Sequence, residues 1–141
     1  MSTAPAGYTG TPLARKLGIK PEARVALIGA PDGFTDTLGD LPPGVEVRTR
    51  LRGGFDVIVA FFVRQVVLER RLPRLRTALH QSGGLWLAWP KRTSGVATDL
   101  GDGIVRELGL AAGLVDNKVC AIDETWSGLR FVYRLADRAS T

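Results

Sequence analysis

The stretch from Phe55 to Val63, FDVIVAFFV, is the feature that most constrains what this chain can fold into. It is apolar nearly throughout. A strand with one solvated face alternates polar and apolar side chains, whereas a strand covered on both faces reads as an unbroken apolar run. Helices packed on both sides of a sheet supply such cover, so the run predicts an α/β domain. Arg24 to Ala30 (RVALIGA) and Leu85 to Trp89 (LWLAW) repeat the pattern and predict two more buried strands.

Helical signals lie between these runs. Leu68, Leu72, Leu75 and Leu79 recur at intervals of 4, 3 and 4 and share one helix face, predicting a helix from about Gln65 to His80. Pro73 kinks that helix or marks a start within it. Ser82-Gly83-Gly84 closes it. Thr11 and Pro12 open a short helix as N-cap and first helical residue, and Gly18 ends it. A weak helix is expected around Phe34 to Leu41. Another runs to about Ala112, capped by Thr98 or Asp99. Val45–Leu51, Val115–Ile122 and Leu129–Leu135 complete the strands. The last two flank a hairpin-type turn, Asp123 to Gly128. The predicted architecture is a Rossmann-like three-layer sandwich. It has a mostly parallel sheet of about six strands and a C-terminal antiparallel hairpin. Residues 1–10 are expected to be a flexible segment, 11–136 a single domain and 137–141 a flexible tail.

Counts exclude several function classes. One cysteine, Cys120, excludes an intramolecular disulfide framework and a Cys-rich metal site. It lies in a predicted strand and is expected to be a buried, inert thiol. One histidine, His80, argues against a protein-only metal site or a Ser-His-Asp triad. It is read as structural, acting on a helix C-terminal dipole. No apolar run reaches membrane-spanning length, and the N-terminus has no signal-peptide core. The expectation is a soluble, cytoplasmic protein. No residue is given a catalytic or metal-ligating role.

The net charge of +5 is unevenly spread. Between Arg48 and Arg76 stand eight arginines against Asp56 and Glu69, a local surplus of +6. Arg48, Arg50 and Arg52 share one side if their segment is a strand. Arg70, Arg71 and Arg74 project opposite the leucine face. Such a run is ordinarily a solvated surface; the sharper reading is an anion or nucleic-acid surface. Against the latter, no aromatic residues interleave with these arginines to stack on bases.

A family resemblance now enters. Ile19 to Gly29 (IKPEARVALIG) resembles the opening of a class I methyltransferase domain. Phe55-Asp56-Val57-Ile58-Val59, then LPRLRTAL, then Ser82-Gly83-Gly84-Leu85-Trp86-Leu87, is similar to its later half. The closing strand–turn–strand matches its terminal hairpin. More closely still, the chain resembles a bacterial domain family of unknown function typical of actinobacteria. That resemblance rests on Tyr8 to Ala14, on Trp89-Pro90-Lys91 with Ser94 to Leu100, and on Lys118 to Leu129. The methyltransferase resemblance implies S-adenosylmethionine as a possible cofactor, with Gly29, Asp32 and Gly33 in the first loop as the residues nearest it. The signature itself is missing. Strand one carries no acid, and Gly-x-Gly is replaced by Gly29-Ala30-Pro31-Asp32-Gly33. Arg48, Arg50 and Arg52 stand where the family ends strand two with an acid that holds the ribose. Arginine there suits a phosphorylated ribose instead. The chain is also about one βα unit short of the full fold.

Two loops are the candidate ligand-binding sites. Lys91, Arg92, Ser94, Thr98 and Asp99 follow strand four, at the sheet edge where open α/β domains bind ligands. With helix N-terminal amides they could hold a phosphate or carboxylate. The same residue types equally make an ordinary capped loop. Asp123, Glu124, Trp126 and Ser127 form the second group. Adjacent acids and an indole could serve a ligand or partner, or simply form a polar turn with the ring folded onto the core. The expected function is that of a non-catalytic or cryptic methyltransferase-like domain binding an anionic small molecule or a protein partner through these loops. The alternatives are a divergent S-adenosylmethionine-dependent methyltransferase and nucleic-acid binding through Arg48–Arg76.

Overall fold

The apolar run forms β3 (Phe55–Phe61), in which Ile58, Val59 and Ala60 are wholly buried. A computed structural model describes residues 12–138. The other strands are β1 (Arg24–Ile28), β2 (Glu46–Arg48), β4 (Leu79–Pro90), β5 (Leu114–Ala121) and β6 (Trp126–Tyr133). The helices are α1 (Leu13–Lys16), α2 (Phe34–Leu38), α3 (Gln65–Ala78) and α4 (Asp102–Ala111). The six strands form one sheet in the order β2-β1-β3-β4-β6-β5. β2, β1, β3 and β4 are mutually parallel, and β6 runs antiparallel to both β4 and β5. This is the predicted mixed sheet with its terminal hairpin.

Strand periodicity divides the core between two faces. Ile58, Ala60 and Phe62 join Leu68, Leu72 and Leu75 of α3 and Val105 of α4. Val57, Val59 and Phe61 join Ala14 and Leu17 beside α1 and Phe34 and Leu38 of α2. Trp86 and Trp89 fall on opposite faces, as three-residue spacing in a strand requires, and both are buried. Trp86 Nε1 donates to Leu17 O at 2.9 Å, fastening the end of α1 to the sheet.

Several predicted boundaries move. α1 begins after Pro12, and Gly18 follows it at φ +83°. The predicted Thr11 cap lies outside the described residues, as do segment 1–10 and residues 139–141 of the tail. α3 runs through Pro73 without a second start and ends at Ala78. His80 therefore belongs to β4 rather than to a helix terminus. Ser82-Gly83-Gly84 lies inside β4 rather than closing α3, because bare glycine lets two backbones meet. A Cβ on Gly83 would stand 2.6 Å from Asp56 O, and the β3–β4 register shifts between Phe55 and Val57. β2 is only three residues long. After Arg48 the chain leaves the sheet, buries Leu51 on the α3 side and returns through Gly53 at φ +81°. Arg48, Arg50 and Arg52 therefore do not share a strand face.

Candidate functional site

At the carboxyl end of β4 the polypeptide turns through Lys91–Gly101 into α4. A cleft of about 740 Å³ opens there. Lys91, Arg92, Thr98 and Asp99 line it, with Ser127 from β6 and Trp89 from β4. Gly101, Asp102 and Ile104 bring the start of α4 to its wall. No side chain caps that helix, so its first amides present partial positive charge. The Lys91 ammonium and the Arg92 guanidinium have no hydrogen-bond or ion-pair partner among the described residues. Both carboxylates of the cleft are engaged. Asp102 pairs with Arg106 within α4, and Asp99 caps a different helix. Asp116 adds a second carboxylate to Arg106 at 3.0 Å, and hydrogen bonds to both acids raise the guanidinium's pKa.

The capping pattern corrects the sequence reading. Neither Thr98 nor Asp99 caps α4. Asp99 Oδ1 accepts from the Gln65 amide at 2.7 Å, capping α3. Thr98 Oγ1 donates to Val63 O at 2.7 Å and accepts from Leu100 N at 3.0 Å. Together they pin the loop to the chain leaving β3. Ser94 Oγ donates to Lys91 O at 2.7 Å and accepts from Val96 N at 3.1 Å. These three side chains build the loop, leaving Lys91 and Arg92 as its free cations.

The two candidate loops meet through backbone: Lys91 N donates to Thr125 O at 2.7 Å. Their side chains diverge. Asp123 Oδ1 accepts from Thr125 N and Trp126 N, both at 2.8 Å, so this acid shapes the turn. Glu124 is exposed. Ser127 reaches the cleft, whereas Trp126 packs on the opposite face, against the α1–α2 side of the sheet.

That packing closes the place where the first loop meets the sheet. The Trp126 ring stands edge-on to Phe61 at 5.0 Å, and Phe61 stands edge-on to Phe34 at 4.9 Å. Phe34 and Phe61 are buried and Trp126 half-buried. Gly29 adopts φ +68°, and a Cβ there would stand 3.0 Å from Phe61 O. Its bareness serves this contact between the ends of β1 and β3. Gly33, at φ +80°, leads into α2, and Asp32 is exposed beside it. Phe34 and Phe61 belong to no binding motif in the sequence. The paired aromatics at the end of FDVIVAFF were the available signal.

Other polar and charged residues lie away from this cleft. Asp56 Oδ2 accepts from Arg24 N at 2.8 Å, and Asp56 Oδ1 lies 3.0 Å from His80 Nδ1. Burial pushes the Asp56 carboxyl up, but these hydrogen bonds and the charges of His80 and Arg24 outweigh it and hold the pKa below its ordinary value. Cys120 is half-buried on β5, and burial raises its thiol pKa, opposing nucleophilic use. Of the arginine run, Arg74 donates to Leu51 O at 2.6 Å and Arg76 stacks on Tyr133 at 4.8 Å. Arg48, Arg50 and Arg52 line a second cleft. Among the described residues no group of three or more His, Cys, Asp and Glu side chains could hold a metal ion, and no helix is long and apolar enough to cross a membrane.

No family model matches the chain, and no curated protein matches it in sequence. Solved structures do match in fold. The pyocyanin biosynthetic protein superposes with a TM-score of 0.64 at 10% identity, covering 86% of this chain and 53% of its own. A SAM-dependent methyltransferase from Aquifex aeolicus gives 0.58 at 13%, covering 84% and 86%. An O-methyltransferase from neocarzinostatin biosynthesis, in complex with S-adenosylmethionine, gives 0.59 at 14%, covering 79% and 49%. The fold is that of a class I methyltransferase domain. The chain spans about half the length of the first and third of these proteins.

Pro31 offers no amide, Phe34 and Phe61 fill the notch beside Gly29, and β2 ends in Arg48 rather than an acid. Phe61, Phe62 and Val63, at the end of β3, supply no side-chain acid, base or nucleophile.

Proposed function

We propose that this methyltransferase-like domain is a binding domain rather than a transferase. Its ligand is a small anionic molecule, a phosphate or carboxylate, seated in the cleft between Lys91 and the start of α4. One observation carries this reading. Lys91 and Arg92 have no partner among the described residues and lie beside an uncapped helix N-terminus, while the acids of the same cleft are committed elsewhere. A preformed pocket with uncompensated positive potential favours an anion. A protein partner presenting a carboxylate would satisfy the same chemistry.

Thermal unfolding with a panel of nucleotides, coenzymes and acidic metabolites tests the reading. A ligand at 100 times its Kd stabilises the folded state by about 2.7 kcal/mol. The expected result is stabilisation by one anionic class that the Lys91→Ala/Arg92→Ala variant loses. Absence of any stabilisation, or an equal response in the variant, overturns it.

The second reading is a divergent S-adenosylmethionine-dependent methyltransferase, favoured by the fold shared with the S-adenosylmethionine complex above. Titration calorimetry separates the two. Micromolar binding of S-adenosylmethionine supports the enzyme, and its absence leaves the binding domain.

A further inference from the structure

The second cleft lies at the opposite edge of the sheet from the β5–β6 hairpin. It encloses about 480 Å³, lined by Arg24, Arg48, Thr49, Arg50, Arg52 and Gly53. Four of its six lining residues are arginine, and none is acidic or aromatic. Among the described residues Glu46 is the one carboxylate in ion-pair contact with them, 3.8 Å from Arg24 and 3.2 Å from Arg48. Arg24 is fixed: it donates to Arg52 O at 2.9 Å and lies over the Phe55 ring at 4.6 Å. Its Nε is buried without a hydrogen-bond partner. The guanidinium groups of Arg50 and Arg52 have no side-chain partner among the described residues.

The fold explains why these side chains converge. β2 stops after three residues, and the chain returns directly to β3 instead of building another helix and strand. That return segment brings Arg50 and Arg52 beside Arg24 and Arg48, although the four do not share a strand. Arg74 of α3 secures the segment by donating to Leu51 O. Like charges gathered around one concavity repel one another unless an anion joins them. A planar guanidinium offers paired donors that match phosphoryl oxygens.

We propose that this arginine cleft is a second anion site, separate from the Lys91 cleft, which takes a small phosphoryl compound bearing several negative charges. Two features favour a small polyphosphate over a nucleic-acid strand: the volume is that of a small-molecule pocket, and no aromatic side chain is among the described lining residues.

The probe is inorganic tripolyphosphate, with sulfate for comparison, titrated against the whole chain by calorimetry near physiological ionic strength. Arg50→Ala/Arg52→Ala removes two exposed side chains whose guanidinium groups have no hydrogen-bond or ion-pair partner among the described residues, and circular dichroism and urea unfolding check that the variant folds. Arg70→Ala/Arg71→Ala removes equal charge from exposed positions on α3. The expected result is saturable 1:1 binding of tripolyphosphate, stronger than that of sulfate. It weakens at least about tenfold in the Arg50/Arg52 variant and is unchanged in the Arg70/Arg71 variant. Lys91→Ala/Arg92→Ala also leaves it unchanged, which separates this site from the other cleft. Absence of saturable binding overturns the proposal, as does equal weakening in the Arg70/Arg71 control. Binding of single-stranded oligonucleotides in preference to tripolyphosphate overturns it in favour of a nucleic-acid surface.

Discussion

Phe61, the last residue of β3, meets Trp126, the first residue of β6, edge-to-face with ring centroids 5.0 Å apart. This contact joins the centre of the parallel sheet to the start of its antiparallel strand. With Phe34 on the other side of Phe61, it fills the notch beside the first loop.

The ring contact makes Trp126 a stability residue. Trp126→Ala should cost about 1–3 kcal/mol, below the 3–5 kcal/mol of a wholly buried ring, because one side of the indole is wet. Phe61→Ala should reach the higher range. Urea unfolding measures both, and a Trp126→Ala change within about 0.5 kcal/mol of the parent would show that the ring does not pack.

Gly29 is expected to matter for backbone geometry. A side chain at φ +68° is strained, and its Cβ would press on Phe61 O at 3.0 Å. Gly33 has a similar φ of +80° but open space around it. Both alanine variants should lose about 1–2 kcal/mol from the backbone conformation, with Gly29→Ala the larger because of the added contact. The comparison is read from thermal unfolding of the two variants, and equal losses would remove the role given to that contact.

Asp99 should behave as a cap. Asp99→Ala strips the acceptor from the Gln65 amide and is expected to destabilise by about 1 kcal/mol. Hydrogen exchange localises the effect: protection should fall in the first turn of α3 and stay unchanged in the first turn of α4. The reverse pattern would restore the α4 cap read from the sequence.

Asp56 should contribute to acid sensitivity. Its folded pKa is depressed, so its stabilising contribution is complete above the unfolded value of about 3.9 and is lost as pH falls through the folded value. The carboxylate is partly exposed, so solvent screening reduces the size of the effect. Asp56→Asn keeps an acceptor for the Arg24 amide but loses the charge. Urea midpoints of parent and variant should therefore differ at pH 6 and converge below about pH 4. A gap that widens toward acid would reverse the sign of the linkage.

Much of this fold is legible along the chain. The runs RVALI, FDVIVAF and LWLAW are strands, and the leucine spacing places one face of α3 on the core. Their periods are local properties that need no knowledge of distant residues. The short β2 was not legible. Val45 to Leu51 has strand-forming composition, but its only partner among the described residues is β1, and that pairing covers Glu46 to Arg48 alone. The two loops lie side by side beyond β4, but the roles of their side chains were not legible. Ser94, Thr98, Asp99 and Asp123 have side chains that cap or build turns with equal ease, and only position in space decides which.

Neighbouring residues were enough to set the layers and the alternation of helix and strand, because each is a local pattern. Tertiary structure decided which groups are spent and which are free. Asp99 caps a helix whose first amide is 34 residues away, and Arg24 joins Arg48, Arg50 and Arg52 across a strand crossover. A polar side chain pairs with whatever the fold brings within about 3 Å of it, and that distance is set by the whole chain's packing rather than by its order.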